Sequence, residues 1–222
     1  MFMDYQALWL TFRLAISTTL ILGLIGLPFS YWLATTHSRW RFLIEAAVAL
    51  PIVLPPTVIG FYVLWALGPH SPAGQWYEAV TGNTLPFSFM GILLASVLFN
   101  IPFAVRPFVA AFAGLDRGLV EASRNLGAGR MRTFFRVILP LASPGILAGM
   151  VLCFAHTVGE FGVVLMVGGS IPGMTRTISI VIYDDVQSLN YAAAHRTALF
   201  LLGFSYLSLC GVYLLQRRQF RF

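Results

Sequence analysis

The stretch LDRGLVEASRNLGAGRMRTFFRVILP, residues 115–140, decides how the rest of this chain is read. It is the long polar break in an otherwise apolar sequence, and it sets five arginines (Arg117, Arg124, Arg130, Arg132, Arg136) against two acids (Asp116, Glu121). A basic segment held between apolar blocks faces water, and an excess of arginine marks the cytoplasmic side of a membrane. Residues 118–136 read as two short helices around Gly127-Ala128-Gly129. Glu121 falls in the first turn of the first helix, where a carboxylate suits the positive helix end. Gly127 serves as its carboxyl cap, and Arg130 opens the second helix. A two-helix knob of this kind is a shape that a partner's cleft can grip.

Of 222 residues, 58% are apolar and 10% charged, against about 25% charged in soluble domains. The composition predicts an all-α polytopic membrane helix bundle. Residues 1–222 form a single transmembrane domain, because no stretch between apolar blocks reaches the ~50 residues of a soluble domain. All 14 basic residues are arginine. Without lysine the chain lacks the residue that a P-loop needs to reach nucleotide phosphates, so it has no ATPase site of that kind. Nucleic acid is not expected as a partner, because the arginines fall at span ends. Cys153 and Cys210 lie within apolar runs and read as packing residues. His37, His70 and His195 form no ligand spacing, so no metal site is expected.

A hydrocarbon core of ~30 Å needs about 20 apolar residues in helix. Five spans meet that measure: 8–34, 42–67, 87–109, 137–167 and 197–215. With the amino terminus outside, the inner ends and loops hold Arg39, Arg41, Arg106, the five loop arginines, Arg217, Arg218 and Arg221. Arg13, Arg176 and Arg196 are left on or near the outer side. That asymmetry predicts a periplasmic amino terminus and a cytoplasmic carboxyl terminus. The first apolar run has no basic start and is too long for a signal core, so no removable signal peptide is expected.

In the second span Pro51, Pro55 and Pro56 each remove a backbone donor, so that helix must kink or break. An ordinary proline kink and the wall of a route that opens and closes both fit, since irregular backbone at membrane depth lies inside a bundle or along a cavity. The fourth block has 31 residues and is too long for one perpendicular span. Its expected breaking points are Pro140 and Pro144, and then Gly159-Glu160-Phe161-Gly162. Gly145 and Gly149 make a small-xxx-small pattern suited to close helix approach. On the outer side, residues 167–177 are rich in turn formers, and 178–189 read as a short helix at or dipping from the surface.

Glu121-Ala122-Ser123, three residues, Gly127, nine residues and Val137-Ile138-Leu139-Pro140 resemble the EAA loop of the permease subunits of bacterial ABC importers. The pattern there is Glu-Ala-Ala, three residues, Gly, nine residues, Ile, one residue, Leu-Pro; the departures are Ser123 and Val137. The segments from Leu126 to Arg136, Leu139 to Ile146, Gly159 to Gly162, Ile171 to Ile178 and Leu50 to Gly60 are similar to the molybdate permease branch. Sulfate permeases more usually have Tyr in the Gly-Glu-Phe-Gly position and lack the Pro-Gly-x-Thr-Arg-Thr run. Tungstate is not separated from molybdate. The resemblance implies a homodimeric inner-membrane pore with two ATP-binding cassette subunits, fed by a periplasmic molybdate-binding protein. ATP would be bound by the partner, with no cofactor in this chain. Glu121, Ala122, Ser123, Gly127 and Arg130 would form the coupling contact.

Glu160 is an ionisable group at membrane depth and therefore a functional candidate. A carboxylate would repel a dianion, so its expected role is to bond exposed backbone donors at the break or a neighbouring span. With Pro51, Pro55, Pro56, Gly159 and Gly162 it makes up the expected gate region. His156, one turn earlier, either compensates Glu160 at i, i+4 or is a packed histidine. Thr175, Arg176 and Thr177 read as an outer loop that meets the binding protein or anion, or simply water. An intramembrane enzyme would need an acid–base set beyond Glu160 and His156, and an ion-coupled secondary transporter would carry more ionisable residues in its spans.

Overall fold

In the computed structural model, which describes residues 4–217, the chain is α-helical and no strand occurs among the described residues. Asp4 opens α1 (Tyr5–Thr35) by accepting the Ala7 N–H at 3.0 Å, which satisfies one of the free donors of a helix start. There follow α2 (Arg41–Val53), α3 (Pro56–Leu67), α4 (Pro72–Thr81), α5 (Phe89–Ala113), α6 (Arg117–Asn125) and α7 (Arg130–Thr133). A π-helical turn (Phe134–Ile138) carries α7 into α8 (Leu139–Val158), and α9 (Gly162–Gly168), α10 (Ile178–Gln187) and α11 (Tyr191–Arg217) follow. The stretches long and apolar enough to cross a membrane are α1, α5, α7 through α8, and α11; α2 with α3 makes a fifth, bent by 108°. The expected Arg218 and Arg221 at the carboxyl terminus lie outside the described residues.

Packing fixes the direction of each span. Leu14 of α1 packs with Ile92 and Leu93 of α5, and further along both helices Tyr31 meets Phe112 edge-on. The two helices therefore run parallel, and the chain between them must cross back. It does so through α2, where Val48 packs on Val105, and α3, where Val63 packs on Ala95. The bent pair is thus one span and not an excursion from one surface. Ile138 of the π turn and Ala142 and Ile146 of α8 pack on the Phe108 and Phe112 end of α5, and Val164 of α9 reaches Leu14 and Ile92 at its other end. The fourth span accordingly returns antiparallel to α1 and α5. Gly145 and Gly149 lie on this seam, where an added Cβ would come within 2.7 Å of Ala111 and 2.9 Å of Phe108.

Several expected boundaries move. Pro51 stays within α2, and the break comes instead at Leu54 (ψ 140°) ahead of Pro55 and Pro56. A proline forces the preceding residue into extended backbone, and Pro56 then fits the first turn of α3, where no donor is needed. Pro140 and Pro144 do not break the fourth block, because helix continues from Arg130 to Val158. Pro140 cannot bond back to Arg136 and would crowd its carbonyl. The wider π turn, in which the Leu139 N–H reaches the Phe134 carbonyl, relieves that crowding. The third span extends to Ala113, and the last begins at Tyr191, earlier than expected. Helix α4 was not anticipated, although Ser71 as its cap, Pro72 and the left-handed Gly82 (φ 70°) mark it.

Where α3 crosses α9, Gly60 admits Met166 so closely that a Cβ would lie 2.6 Å from the Met166 Cβ. Gly60→Val is expected to destabilise the protein by roughly 1–3 kcal/mol through overpacking, read as a lower melting temperature of the detergent-solubilised chain.

Candidate functional site

The two broken spans meet. At the break between α8 and α9, Gly162 faces the break between α2 and α3 so closely that a Cβ there would lie 3.0 Å from Pro56. Two interruptions 105 residues apart in sequence, at Leu54 and Gly159, thus share one place in the bundle. Interrupted helices expose backbone groups that hydrocarbon cannot satisfy. At Gly159 and Glu160 the amides turn back onto His156 and Thr157 carbonyls (3.1 and 3.2 Å).

The side chain of Glu160 is 4% exposed and bonds to the neighbouring span rather than to backbone. Its Oε2 accepts from Asn100 Nδ2 at 2.9 Å, and the same amide donates to the Ser96 carbonyl at 2.8 Å. Asn100 Oδ1 lies 2.8 Å from His156 Nδ1; a carbonyl oxygen only accepts, so the proton is on Nδ1. His156 therefore reaches Glu160 through Asn100, not directly, and its ring stacks on Phe103 at 3.6 Å. Glu160 Oε1 and Ser96 Oγ are buried without a partner among the described residues. Asn100, fully buried, is the clasp that ties α5 to the break.

At the opposite end of α8 the polar loop forms the two expected helices. Asp116 caps α6 by accepting the Gly118 N–H at 2.8 Å. Glu121 sits in the second turn rather than the first, because α6 begins at Arg117. Gly127 adopts φ 84°, and the Gly127 and Ala128 amides donate to Arg124 and Ser123 carbonyls at 2.9 and 3.2 Å. These two bonds make a Schellman ending, whose left-handed position favours glycine. Ser123 turns inward to Thr133 Oγ1 at 3.2 Å and pins α6 to α7. Ala122 and Leu126 lie on the outward face with Leu119, and Leu126 is 89% exposed. Arg130 starts α7 as expected.

A family model described as the binding-protein-dependent transport system inner membrane component matches residues 26–221. The chain belongs to this family. It is 48% identical over 210 residues to the molybdenum transport system permease protein ModB of Azotobacter vinelandii, covering 95% of this chain and 93% of that one. It is 38% identical over 184 residues to ModB of Escherichia coli K12, covering 81% and 80%. The crystal structure of a bacterial alginate ABC transporter bound to an alginate-loaded periplasmic protein superposes with a TM-score of 0.76 at 17% identity, over 98% of this chain and 79% of that one. At that identity the likeness shows the fold alone. The chain is a multi-pass membrane permease of this transport family.

The segment from Gly168 to Ile178 of this transport component differs from expectation. Thr175 and Thr177 are buried: Thr175 Oγ1 donates to the Gly168 carbonyl at 2.7 Å and accepts from Ile171 N. Arg176 pairs with Asp4 at 2.7 Å, tying the start of α1 to the turn before α10. Thr11 of α1 accepts the Ile178 N–H at 2.9 Å, so a neighbouring helix caps α10, whose Ile178 and Ile180 dip into the bundle. Asn100 was missed by sequence reasoning, though a side-chain amide within the run from Gly91 to Ile101, otherwise apolar but for Ser96, was its signal.

Asn100→Ala leaves Glu160 and His156 without their partner in the bundle. We expect roughly 1–3 kcal/mol lost per unpaired group, seen as reduced thermal stability, with Asn100→Gln recovering part of it.

Proposed function

We propose that this chain is the permease subunit of an ATP-driven importer that carries molybdate inward across the inner membrane. The observation that carries this reading is the unbroken helix from Arg130 to Val158. It joins the two-helix loop at one end directly to the break beside Pro56 at the other. At 1.5 Å per residue its 29 residues form a lever of ~43 Å. The 48% identity to a protein named for molybdenum transport supports the substrate.

In this reading a separate ATP-binding cassette subunit binds the nucleotide, and this chain holds no cofactor or ATPase site. The outward face of α6 with Ala122, the Glu121 carboxylate, the Ser123–Thr133 pin, the Gly127 turn and Arg130 form the coupling contact. Closure of the ATPase pair moves the loop, and the lever moves the gate at Pro51, Pro55, Pro56, Gly159, Glu160 and Gly162. This is a shift between discrete packed states. Two copies make the pore, a periplasmic molybdate-binding protein feeds it, the amino terminus is periplasmic and the carboxyl terminus cytoplasmic. Glu160 holds the gate in shape through Asn100 and does not touch the anion.

Uptake of labelled molybdate by cells lacking their own permease, supplied with this chain, its ATPase and its binding protein, tests the assignment. Tungstate is expected to compete and sulfate not to; equal competition by sulfate would move the substrate to oxyanions generally. Gly127→Val places a β-branched residue at φ 84°, a strain of about 1–3 kcal/mol. That variant is expected to reach the membrane yet lose uptake and substrate-stimulated ATP hydrolysis, and normal uptake would remove the loop from the coupling role.

A further inference from the structure

Helix α6 turns Leu119 and Ala122 outward, and Leu126 just past its end is exposed as well, while Val120 alone of its apolar residues packs inward. Its charged residues Arg117, Glu121 and Arg124 face a cavity of about 660 Å³ between the loop and the ends of α1 and α5. Arg130 completes the charged side, while Phe112, Phe134 and Ile138 make an apolar wall. The ion pairs among the described residues are Arg41–Glu45 and Arg176–Asp4. The cavity therefore sets three unpaired arginines against one acid beside an apolar surface. Thr35 at the end of α1 and His37 just past it also border the cavity, between the exposed Trp32 and Trp40. Tryptophans of this kind mark headgroup depth.

We propose that this cavity binds an anionic phospholipid from the leaflet on the loop's side. The phosphate meets Arg117 and Arg124, and an acyl chain lies along Phe112, Phe134 and Ile138. The charge complementarity names the headgroup, and the apolar wall distinguishes a lipid from a free oxyanion, which would gain nothing from it. A protein partner has the apolar face of α6 available, together with Glu121 and Arg130, which are exposed at the cavity's rim. The bound lipid would seat the loop on α1 and set the position from which it moves.

The test is native mass spectrometry of the full chain, alone and with its ATPase subunit, after exchange against vesicles of equal phosphatidylglycerol and phosphatidylcholine. The wild type is expected to retain phosphatidylglycerol selectively. R117Q/R124Q should lower that retention by about tenfold or more, and Ala113→Trp, which fills the cavity with every arginine intact, should lower it as well. Circular dichroism and monodisperse elution report folding; if R117Q/R124Q does not fold, Ala113→Trp decides alone. Equal retention of both lipids by the wild type, or unchanged retention in the folded variants, would overturn the proposal. So would displacement of the lipid by millimolar inorganic phosphate or molybdate, which would make this an aqueous anion site. Loss of the lipid whenever the ATPase is bound would overturn it too. Retention is read without transport, so failure here is distinct from failure of the importer reading.

Discussion

A backbone polar group in hydrocarbon has no water to fall back on, so every helix interruption must be satisfied inside the protein. This chain interrupts two spans, at Leu54 and at Gly159 to Phe161, and brings both to the same place. What holds the second of these breaks to the bundle is the bond from Asn100 to Glu160, with His156 on the other end of the same amide. An asparagine offers donors and an acceptor from one side chain, which is why a single residue on unbroken α5 can fix both members of the interrupted span. Low dielectric makes such a network strong when complete and costly when cut.

The same economy appears at the loop. Its shape is set by local bonds, the Asp116 cap, the Gly127 turn and the Ser123–Thr133 pin, and hardly at all by burial, since no residue of α6 is buried. A knob that keeps its form without a core can be gripped and moved as a unit. The π turn at Phe134–Ile138 lets helix continue past Pro140 into α8, so that displacement at the knob has a rigid path to the interrupted region. The Arg176–Asp4 pair and the Thr11 cap of α10 anchor the far end of the bundle to α1.

Much of this was legible in the chain. Apolar runs long enough to span, the Gly127 ending and the Gly-Glu-Phe-Gly break all follow from hydropathy and backbone freedom. What escaped depends on tertiary neighbours. Prolines announce trouble, but which one breaks a helix depends on spacing: the consecutive Pro55 and Pro56 do, whereas Pro51 and Pro144 are absorbed. Glu121 shifted by a turn because the cap is Asp116, and Thr175 turned out to be a buried structural residue, with Thr177 buried two residues on, because the turn folds back on itself. Asn100 is a partner only because α5 passes the break, a fact of packing that spacing along the chain does not carry.

The central claim is that the abutting breaks are the moving gate. Its most direct measurement is a reversible cross-link between them, P56C/G162C, in a chain whose Cys153 and Cys210 are replaced by alanine. The backbones there are close enough for a disulfide after a small adjustment. Uptake that stops on oxidation and returns on reduction, with the ATPase subunit bound throughout, is the predicted result. Uptake at the same rate in the fully cross-linked chain would show that the two breaks need not separate, and would contradict it.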